Sequence, residues 1–427
     1  MRRRKKENFL SLLVLCSLPI FSCATFHPRP IGEVPFRERA QTQCENNVCV
    51  AAAVLSAEES EALFGLPLYK KDIQPVWLEI DNKDEEVVWF PPAGLDPDYF
   101  APLEVAYMHH GTFSKSTNER MDQYLHERGL RGRIPPGRTR SGFVFTNLHM
   151  GTKAFNVDLV GKDHRVRSFT FFISVPGMAV SHQDVEWHAL YQEDEIVFCD
   201  DDKDLREALE TLPCCAANND GTRQGRPINL VIIGRGIDLH HKLIRRGWNE
   251  TQSLEKGFTS EGQQSAIFAR AYRYEAVSPL YLDGRHQDAA FRKTRKTAEE
   301  RNHLRLWLSP LRYKGKPVWI GQISRNIRVR YLPNTFRLEP LVDEARTYIL
   351  QDLWFAQGLE KFGYVKGVGP ASMSEPRLDL EGEPYFTDGY RVVLWLSGRP
   401  VSFSDVEAVD WETPYGVPGE NQAISHK

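Results

Sequence analysis

Residues 278–330 read SPLYLDGRHQDAAFRKTRKTAEERNHLRLWLSPLRYKGKPVWIGQISRNIRVR. Polar and apolar side chains alternate through residues 303–306, and this period of two is typical of a β-strand. A short Lys-Gly-Lys segment at 314–316 separates it from a second apolar run, which predicts a β-hairpin. In chain order the stretch predicts a strand at 280–282, a helix at 289–296, a strand at 303–308, a turn at 314–316 and a strand at 318–324.

The same stretch is strongly basic. From residue 283 to residue 330 it holds about 13 Lys and Arg against about 4 Asp and Glu, whereas the whole chain has a formal net charge of −3. Alternation places Arg301, His303 and Arg305 on one face of the strand and leucines on the other. Such a row fits either a solvated basic face or a site for phosphate or carboxylate groups.

Several short motifs follow one another in this region. They are Ser278-Pro279-Leu280-Tyr281, Gly284-Arg285, Asp288, Arg301-x-His303-x-Arg305-Leu306-Trp307 and Pro317-Val318-Trp319-x-Gly321. Their order and spacing resemble the core of the LssY-like C-terminal domain, a bacterial family. The resemblance covers roughly residues 190–415. Some members of that family are fused to membrane phosphatase-like or DedA-like segments, but the resemblance implies no particular reaction.

The chain departs from the family pattern at two places. Members commonly carry His-His-Ile-Asp-Pro before a Val-Asp-Ala-Glu-Arg helix, whereas residues 336–340 here read FRLEP and residues 342–346 read VDEAR. The usual Arg-Asp is Arg325-Asn326. A metal held by that histidine pair in relatives would therefore be lost here. The polar positions that remain are Arg285, Asp288, Arg301, His303, Arg305, Ser324, Asp343, Glu344 and Arg346.

The first residues predict export and lipid anchoring. A basic segment at 2–6 precedes a short apolar run at 9–21, and Ser22 precedes Cys23. This order is typical of a lipoprotein signal peptide, whose cleavage would leave Cys23 as the lipidated N-terminus. An uncleaved anchor and a plain secretory signal are the alternatives. Ala24 favours sorting to the outer membrane, so we expect a cell-envelope protein on the periplasmic face of that membrane.

The chain divides into five predicted segments, and its fold class is predicted to be α+β. Short strands with turns between them, including 140–145, 155–160 and 168–175, indicate an immunoglobulin-like β-sandwich. Residues 75–80 and 87–90 have the pattern of a hairpin. The segments are a signal peptide at 1–22, a lipidated tether at 23–55, the β-sandwich at 56–188, an α/β LssY-like domain at 189–415 and a tail at 416–427.

The cysteines of the exported part allow disulfides. Cys44 and Cys49 enclose a short loop and could close it. Cys199 could pair with Cys214 or Cys215, or the adjacent pair could itself be joined. The alternative to a disulfide at Cys199, Cys214 and Cys215 is a metal site. No histidine lies near them at zinc-finger spacing, which counts against that alternative.

Other motifs favour ordinary structure over chemistry. The acidic run at 200–202 lacks the alternation of a calcium loop and predicts a helix N-terminus. Gly234-Arg235-Gly236 lacks the rest of a phosphate-binding loop and predicts the entry to a helix at 237–246. His240 and His241 are expected at the surface of that helix, and a late strand at 390–396 is expected at a sheet edge. We predict no metal site and no cofactor, and a pI near 6.5 gives no case for nucleic-acid binding.

Two functions from different classes fit these observations. The first is an envelope lipoprotein without catalytic activity that binds a protein partner or an anionic lipid or sugar phosphate. The second is a phosphoester hydrolase with His303 and Asp288 as catalytic candidates and Arg285, Arg301 and Arg305 holding the anion. The sequence has no G-x-S-x-G and no H-E-x-x-H motif. We therefore favour the binding role.

Overall fold

The computed structural model describes residues 26–162, 165–177, 179–253, 274–295, 300–328 and 336–414. The predicted lipidation residue Cys23 and the predicted tail at 416–427 lie outside these ranges. The described helices are α1 (Ala57–Phe64), α2 (Pro102–Tyr107), α3 (Lys115–Arg128), α4 (Asp202–Glu210), α5 (Gly236–Arg245) and α6 (Val342–Phe355).

The described strands of the N-terminal half are β1 (Gln41–Glu45), β2 (Val48–Val54), β3 (Ile73–Asn82), β4 (Val88–Trp89), β5 (Arg133–Ile134), β6 (Arg138–Asn147), β7 (Thr152–Val160) and β8 (Val166–Ser174). Those of the C-terminal half are β9 (Val197–Cys199), β10 (Cys215–Ala217), β11 (Gln224–Pro227), β12 (Leu230–Ile233), β13 (Asn249–Glu250), β14 (Tyr281–Leu282), β15 (Arg285–His286), β16 (Ala289–Thr294), β17 (Arg301–Tyr313), β18 (Lys316–Arg328), β19 (Phe336–Leu338), β20 (Leu359–Lys366), β21 (Arg377–Leu378), β22 (Pro384–Tyr385), β23 (Tyr390–Leu396) and β24 (Glu407–Ala408).

Two four-stranded antiparallel sheets form the N-terminal half, in the orders β1-β2-β3-β6 and β5-β4-β7-β8. One apolar core joins them, with Leu78 and Ile80 from the first sheet and Phe155 and Phe171 from the second. The other face of the first sheet packs on α1, α2 and α3. The predicted strands at 140–145, 155–160 and 168–175 are confirmed, whereas the immunoglobulin-like topology stays a prediction.

The predicted hairpin of residues 75–80 with 87–90 is wrong. Strand β3 pairs with β2 and β6, whereas β4 belongs to the second sheet and pairs with β5 and β7. The two runs are close in sequence, but β4 is only two residues long and packs Val88 into the core between the sheets. Local spacing alone could not separate a hairpin from a crossing between sheets.

A ten-stranded mixed sheet dominates the C-terminal half. Its main path is β13-β16-β17-β18-β12-β23-β20-β24, with β9 beside β17 and β19 beside β18. The helix predicted at 289–296 is wrong over its described part, because Ala289–Thr294 form strand β16 and pair with β17. Residues 390–396, predicted at an edge, form the interior strand β23, which lies between β12 and β20. The mixed helix and strand content agrees with the predicted α+β class.

Helices cover both faces of this sheet. On one face, α5 and α6 pack on Leu304, Leu306 and neighbouring apolar residues. On the other face, α4 packs on a core that includes Trp307 and Ile320. Alternate residues of β17 therefore enter two different layers, as the pleat of a strand requires.

A tight turn connects β17 to β18 and confirms the predicted hairpin. Tyr313 pairs with Lys316, so Lys314 and Gly315 are the two turn residues. Their φ angles are 46° and 75°. Positive φ at both positions is what a type I′ turn requires, and this turn matches the right-handed twist of the two strands.

The cysteines resolve the alternatives left open by the sequence. Disulfides join Cys44 to Cys49 and Cys214 to Cys215, and Cys199 is free and buried. The acidic run begins α4 as predicted, because the Asp201 carboxylate accepts hydrogen bonds from the backbone N–H groups of Lys203 and Asp204. Within the described residues no helix combines the length and apolarity that a membrane crossing needs.

Histidines 240 and 241 are buried, which contradicts the surface position predicted for them. Helix α5 lies between the C-terminal sheet and β7 and β8 of the N-terminal half, so both of its long sides face protein. Only 5% of His240 and 7% of His241 is exposed. Burial lowers the pKa of His241 to about 4, so this side chain is neutral at pH 7.

Candidate functional site

A polar cavity of about 380 Å³ lies at one end of the C-terminal sheet, on the face that also packs on α4. Strands β16, β17 and β18 form its floor, and the segments around β11, β14, β19 and β22 form its walls. We call it the basic pocket, because arginines predominate over carboxylates among its lining residues. Among the described residues, its titratable lining consists of Arg226, Arg292, Arg301, His303, Arg305, Arg337, Asp379, Glu381 and Glu383.

Register explains why the floor is polar. Arg305 lies opposite Gln322, and His303 lies between Arg292 and Ser324 on the two neighbouring strands. Residues directly opposite each other in antiparallel strands point to the same face. Three adjacent strands thus present their polar side chains to one cavity, as the alternation in β17 predicted.

Arg305 is the most unusual residue of the pocket. It is 9% exposed, and its guanidinium donates hydrogen bonds to the Ser278 carbonyl oxygen at 3.2 Å and to Gln322 Oε1 at 2.9 Å. All of these acceptors are neutral, and no described carboxylate pairs with Arg305. Burial, followed by the nearby charge of Arg292, lowers the pKa of Arg305 to about 10. The side chain still carries a full positive charge at pH 7.

The other arginines of the pocket have carboxylate partners. Arg226 Nε lies 3.0 Å from Asp379 Oδ2, although its Nη2 has no hydrogen-bond partner among the residues that the structure describes. Glu275 serves both Arg292, at 2.9 Å, and Arg301, at 3.5 Å. One carboxylate shared by two arginines cannot neutralise both. The pocket therefore keeps an excess of positive charge.

His303 is a neutral imidazole inside this cluster. Burial, followed by the positive charges of Arg305, Arg292 and Arg301, lowers its pKa well below the usual 6.5. Its Nδ1 atom has no hydrogen-bond partner in the described part of the chain. Ser324, which is 3% exposed, lies directly opposite it, so their Cβ atoms are about 5 Å apart. A neutral imidazole beside a hydroxyl group can donate to an anion or accept a proton.

The comparison with protein families identifies the C-terminal half. Residues 203–390 match the family model described as the LssY C-terminus. The chain carries an LssY-like C-terminal domain. The match extends from α4 to the start of β23 and contains every lining residue of the basic pocket. No curated protein matches the chain.

The LssY-like domain places two of the predicted site residues outside the basic pocket. Arg285 and Asp288 form an ion pair with each other. Arg285 also donates hydrogen bonds to Tyr191 Oη at 2.8 Å and to the Leu308 carbonyl oxygen at 2.9 Å, while Asp288 Oδ2 accepts one from the backbone N–H of Leu308. Both groups thus have partners within the protein. Of the predicted set, the pocket brings together Arg301, His303 and Arg305.

Other polar positions of the family pattern support the start of α6. Asp343 accepts hydrogen bonds from the Thr387 hydroxyl at 2.8 Å and from the backbone N–H of Asp388 at 2.7 Å. Arg346 forms a two-pronged ion pair with Asp388 at 2.8 and 2.6 Å. These contacts fasten α6 to the segment before β23, so they shape the LssY-like domain outside the pocket.

Sequence reasoning missed six of the nine described titratable residues that line the basic pocket. Arg292 was assigned to a helix, although its alternation with Phe291 is the signal of a strand with two environments. Arg226 and Asp379 are separated by 153 residues, and no local pattern could pair them. Strand β19 brings Arg337 to the rim, where its Nε lies 3.8 Å from Glu383. At the position of Arg337 the family pattern has histidine, whereas this chain has arginine.

Proposed function

We propose that the chain is a lipid-anchored protein of the bacterial cell envelope whose LssY-like domain binds a phosphate-bearing component in the basic pocket. The observation that carries this proposal is the buried charge of Arg305, which has hydrogen-bond partners but no carboxylate at ion-pair distance among the described residues. Glu381 of the pocket lining acts on Arg305 only through its charge. Burying an uncompensated charge is costly. A bound anion would offset that cost.

The lining favours phosphate over other anions. Arginine offers a planar fork of N–H donors that matches the oxygens of phosphate, and several forks converge here. The neutral His303 adds a donor that does not depend on protonation. A cavity of about 380 Å³ is large enough for a lipid headgroup or a sugar phosphate. The concave, polar shape favours such a group over the flat surface of a protein partner.

The lipid anchor rests on the sequence around Cys23. A chain held at the membrane by acyl groups would keep the pocket within reach of phospholipid headgroups and of sugar phosphates in the envelope. The N-terminal half, with its two sheets and no polar cluster comparable to the basic pocket among its described residues, would then serve as a support or interaction module of the immunoglobulin-like kind.

The binding proposal is tested by thermal unfolding of the full-length chain in mild detergent. Inorganic phosphate, glycerol phosphate, sugar phosphates and nucleotides are added separately, and sulfate serves as a test of simple charge. A ligand present at 100 times its Kd stabilises the native state by about 2.7 kcal/mol. We expect at least one phosphate compound to raise the Tm.

Two variants make that experiment specific. Arg305→Ala should lose the ligand-induced rise in Tm, because it removes the unpaired charge. Arg399→Ala is the matched control, since Arg399 is an exposed arginine outside the pocket lining. A rise that persists in Arg305→Ala, or no rise with any compound, would overturn the proposal and direct the search to protein partners.

Hydrolysis of a phosphoester is the second candidate function. The observation that favours it is the neutral His303, whose Nδ1 has no described hydrogen-bond partner and which lies opposite Ser324. His303 would act as general acid or base, and Arg301 and Arg305 would hold the anion. Asp288 would have no direct part, because Arg285 and the Leu308 backbone occupy its oxygens.

The hydrolase candidate has its own test. His303→Ala should abolish turnover of an aryl phosphoester while the unfolding transition stays intact. Full turnover in this variant would remove His303 from the mechanism. Wild-type protein that binds phosphate compounds without turning over any phosphoester would leave the binding function as the better account.

A further inference from the structure

A second cavity lies on the opposite face of the same sheet. It has a volume of about 370 Å³ and is predominantly apolar, with walls that include Phe172, Trp187, Phe291 and Trp319. We call it the apolar cavity. Leu306 and Leu308 of β17 form part of its floor, whereas Arg305 of the same strand faces the basic pocket. The two cavities thus share a strand, and no described residue lines both of them.

Two histidines and a glutamate meet at the end of the apolar cavity. His182 follows β8, His240 lies on α5 and Glu250 lies on β13, so three separate elements converge. His240 Nε2 is 2.5 Å and His182 Nδ1 is 3.1 Å from the same carboxylate oxygen, Glu250 Oε1. The three candidate ligand atoms all lie within 4.8 Å of one another.

Glu250 is an anion in the interior of the protein. Its side chain is 1% exposed. Burial by itself would raise the pKa of Glu250, but His240 and His182 lower it to about 2. The second carboxylate oxygen, Oε2, accepts a hydrogen bond from the backbone N–H of Thr152 at 2.5 Å. That bond fixes the carboxylate so that Oε1 faces both imidazoles.

From this geometry we infer that His182, His240 and Glu250 bind a divalent transition metal ion, with Zn²⁺ as the expected occupant. Two imidazole nitrogens and one carboxylate are a donor set that Zn²⁺ takes. Tetrahedral coordination at the usual bond lengths would hold the ligand atoms about 3.3 Å apart. The carboxylate and His240 would have to separate by about 0.8 Å from their contact at 2.5 Å, a shift within the range of side-chain rotation.

The position of the cavity indicates the kind of site. His182 and His240 both line the apolar cavity, whereas Glu250 lies behind them. A metal held by three protein ligands would keep its fourth position open toward that space, as in catalytic rather than structural zinc sites. The ligand class that fits is an apolar molecule with one metal-coordinating polar group. This site is independent of the phosphate-binding function proposed above.

The sequence conceals this cluster for a physical reason. His240 lies next to His241 on a helix, and neither has a histidine or carboxylate partner at i+4. The remaining ligands come from a turn 58 positions before His240 and a strand 10 positions after it. Packing of the N-terminal half against α5 assembles them, through the contact of Phe172 with His240 at 4.3 Å between ring centroids.

Metal binding is measured on the full-length chain in detergent after treatment with a chelator and its removal. Zn²⁺ is titrated by calorimetry, and Co²⁺ is added in parallel because tetrahedral Co²⁺ absorbs visible light. We expect one ion per chain, a rise in Tm and a tetrahedral Co²⁺ spectrum. None of these readouts depends on knowing a reaction.

Variants decide whether the three residues are the ligands. Glu250→Gln keeps the shape of the side chain and an acceptor for Thr152, and it should weaken Zn²⁺ binding by on the order of 100-fold. His182→Asn should also weaken Zn²⁺ binding. Because His182 is half-buried, we expect this variant to fold, so it tests the site even if Glu250→Gln does not fold. His109→Gln is the matched control, a buried histidine of the N-terminal half that lines neither cavity, and it should bind normally.

Two results would overturn the inference. One is wild-type protein that shows an intact unfolding transition but binds neither Zn²⁺ nor Co²⁺; the cluster would then be a hydrogen-bonded contact between the two halves. The other is metal binding that is unchanged in both His182→Asn and Glu250→Gln, which would place the ion elsewhere. Loss of the basic-pocket ligand in Arg305→Ala would leave this result untouched.

Discussion

His303 lies between Arg292 and Ser324 in the sheet, and its surroundings keep it neutral. Protonation would add a positive charge to a pocket that already holds an excess of arginine. Burial and the neighbouring arginines together hold its pKa well below 6.5. In the unfolded chain those influences vanish, so the imidazole there regains a pKa of about 6.5.

A dependence of stability on pH follows for this residue. Below about pH 6.5 the unfolded chain binds a proton at position 303 that the native state does not, so the free energy of unfolding falls as the pH falls. The contribution is at most about 1.4 kcal/mol per pH unit. In His303→Gln this contribution is absent, and the loss of stability between pH 7 and pH 5 should be smaller than in the wild type.

Urea denaturation at a series of pH values in phosphate-free buffer measures the effect. His188→Gln is the control, because His188 is exposed and should leave the wild-type pH dependence unchanged. Identical slopes for His303→Gln and the wild type would mean that His303 is protonated as easily in the native state as in the unfolded chain.

At the scale of elements, the hairpin of β17 and β18 is the part of the fold that the sequence predicts best. Its alternation places the arginines and leucines on opposite faces, and its turn contains the glycine that a positive φ favours. A Cβ at Gly315 would meet no atom within 4 Å. Any loss of stability on adding a side chain at position 315 therefore comes from the left-handed backbone conformation and not from a steric clash.

We expect Gly315→Ala to lower the free energy of unfolding by about 1 kcal/mol, since left-handed backbone is unfavourable for a residue with a Cβ. Thermal or urea denaturation gives the value. Gly32→Ala is the matched control: Gly32 also has open space around it, and its φ is not positive. A cost equal to that of Gly32→Ala would show that the turn relaxes without strain.

Elements whose partners are distant in sequence are the ones that prediction missed. Strand β16 has helix-compatible residues, but pairing with β17 decides its conformation. Strand β23 lies in the interior because β12, about 160 positions earlier, pairs with it in parallel. The residues of the basic pocket also differ in how far the sequence predicts them. Local alternation predicted Arg301, His303 and Arg305. Arg226 and Asp379 are distant in sequence and come together only in the folded chain.

At the scale of the whole molecule, two halves share one contact region. Helix α5 packs between the C-terminal sheet and β7 and β8, and the Glu250 carboxylate accepts a hydrogen bond from the Thr152 backbone. Buried His240 and His241 belong to this region. The lack of a partner at i+4 predicted these histidines at the surface of the helix, and the packing of the other half against it buries them. A contact between halves has no local sequence signal.

Attachment to the membrane is the remaining prediction at this scale. If Cys23 carries the lipid, Cys23→Ser should move the protein from the washed membrane fraction to the soluble fraction, because acyl chains supply the anchoring energy. Cys16→Ser is the control, since Leu15 before it is too large for the processing enzyme. Fractionation followed by immunoblotting measures the distribution. Membrane retention of Cys23→Ser would exclude lipidation at this residue.

Strand β17 serves two cavities through alternate residues, and this restricts how the gene can change. Inserting or deleting one codon within the strand would turn every following side chain to the opposite face, sending leucines toward the basic pocket and arginines into the apolar layer. A change of two codons would return each following side chain to its original face of the sheet. Viable length variants of this strand should therefore differ by even numbers of residues, while the loops around it can vary freely.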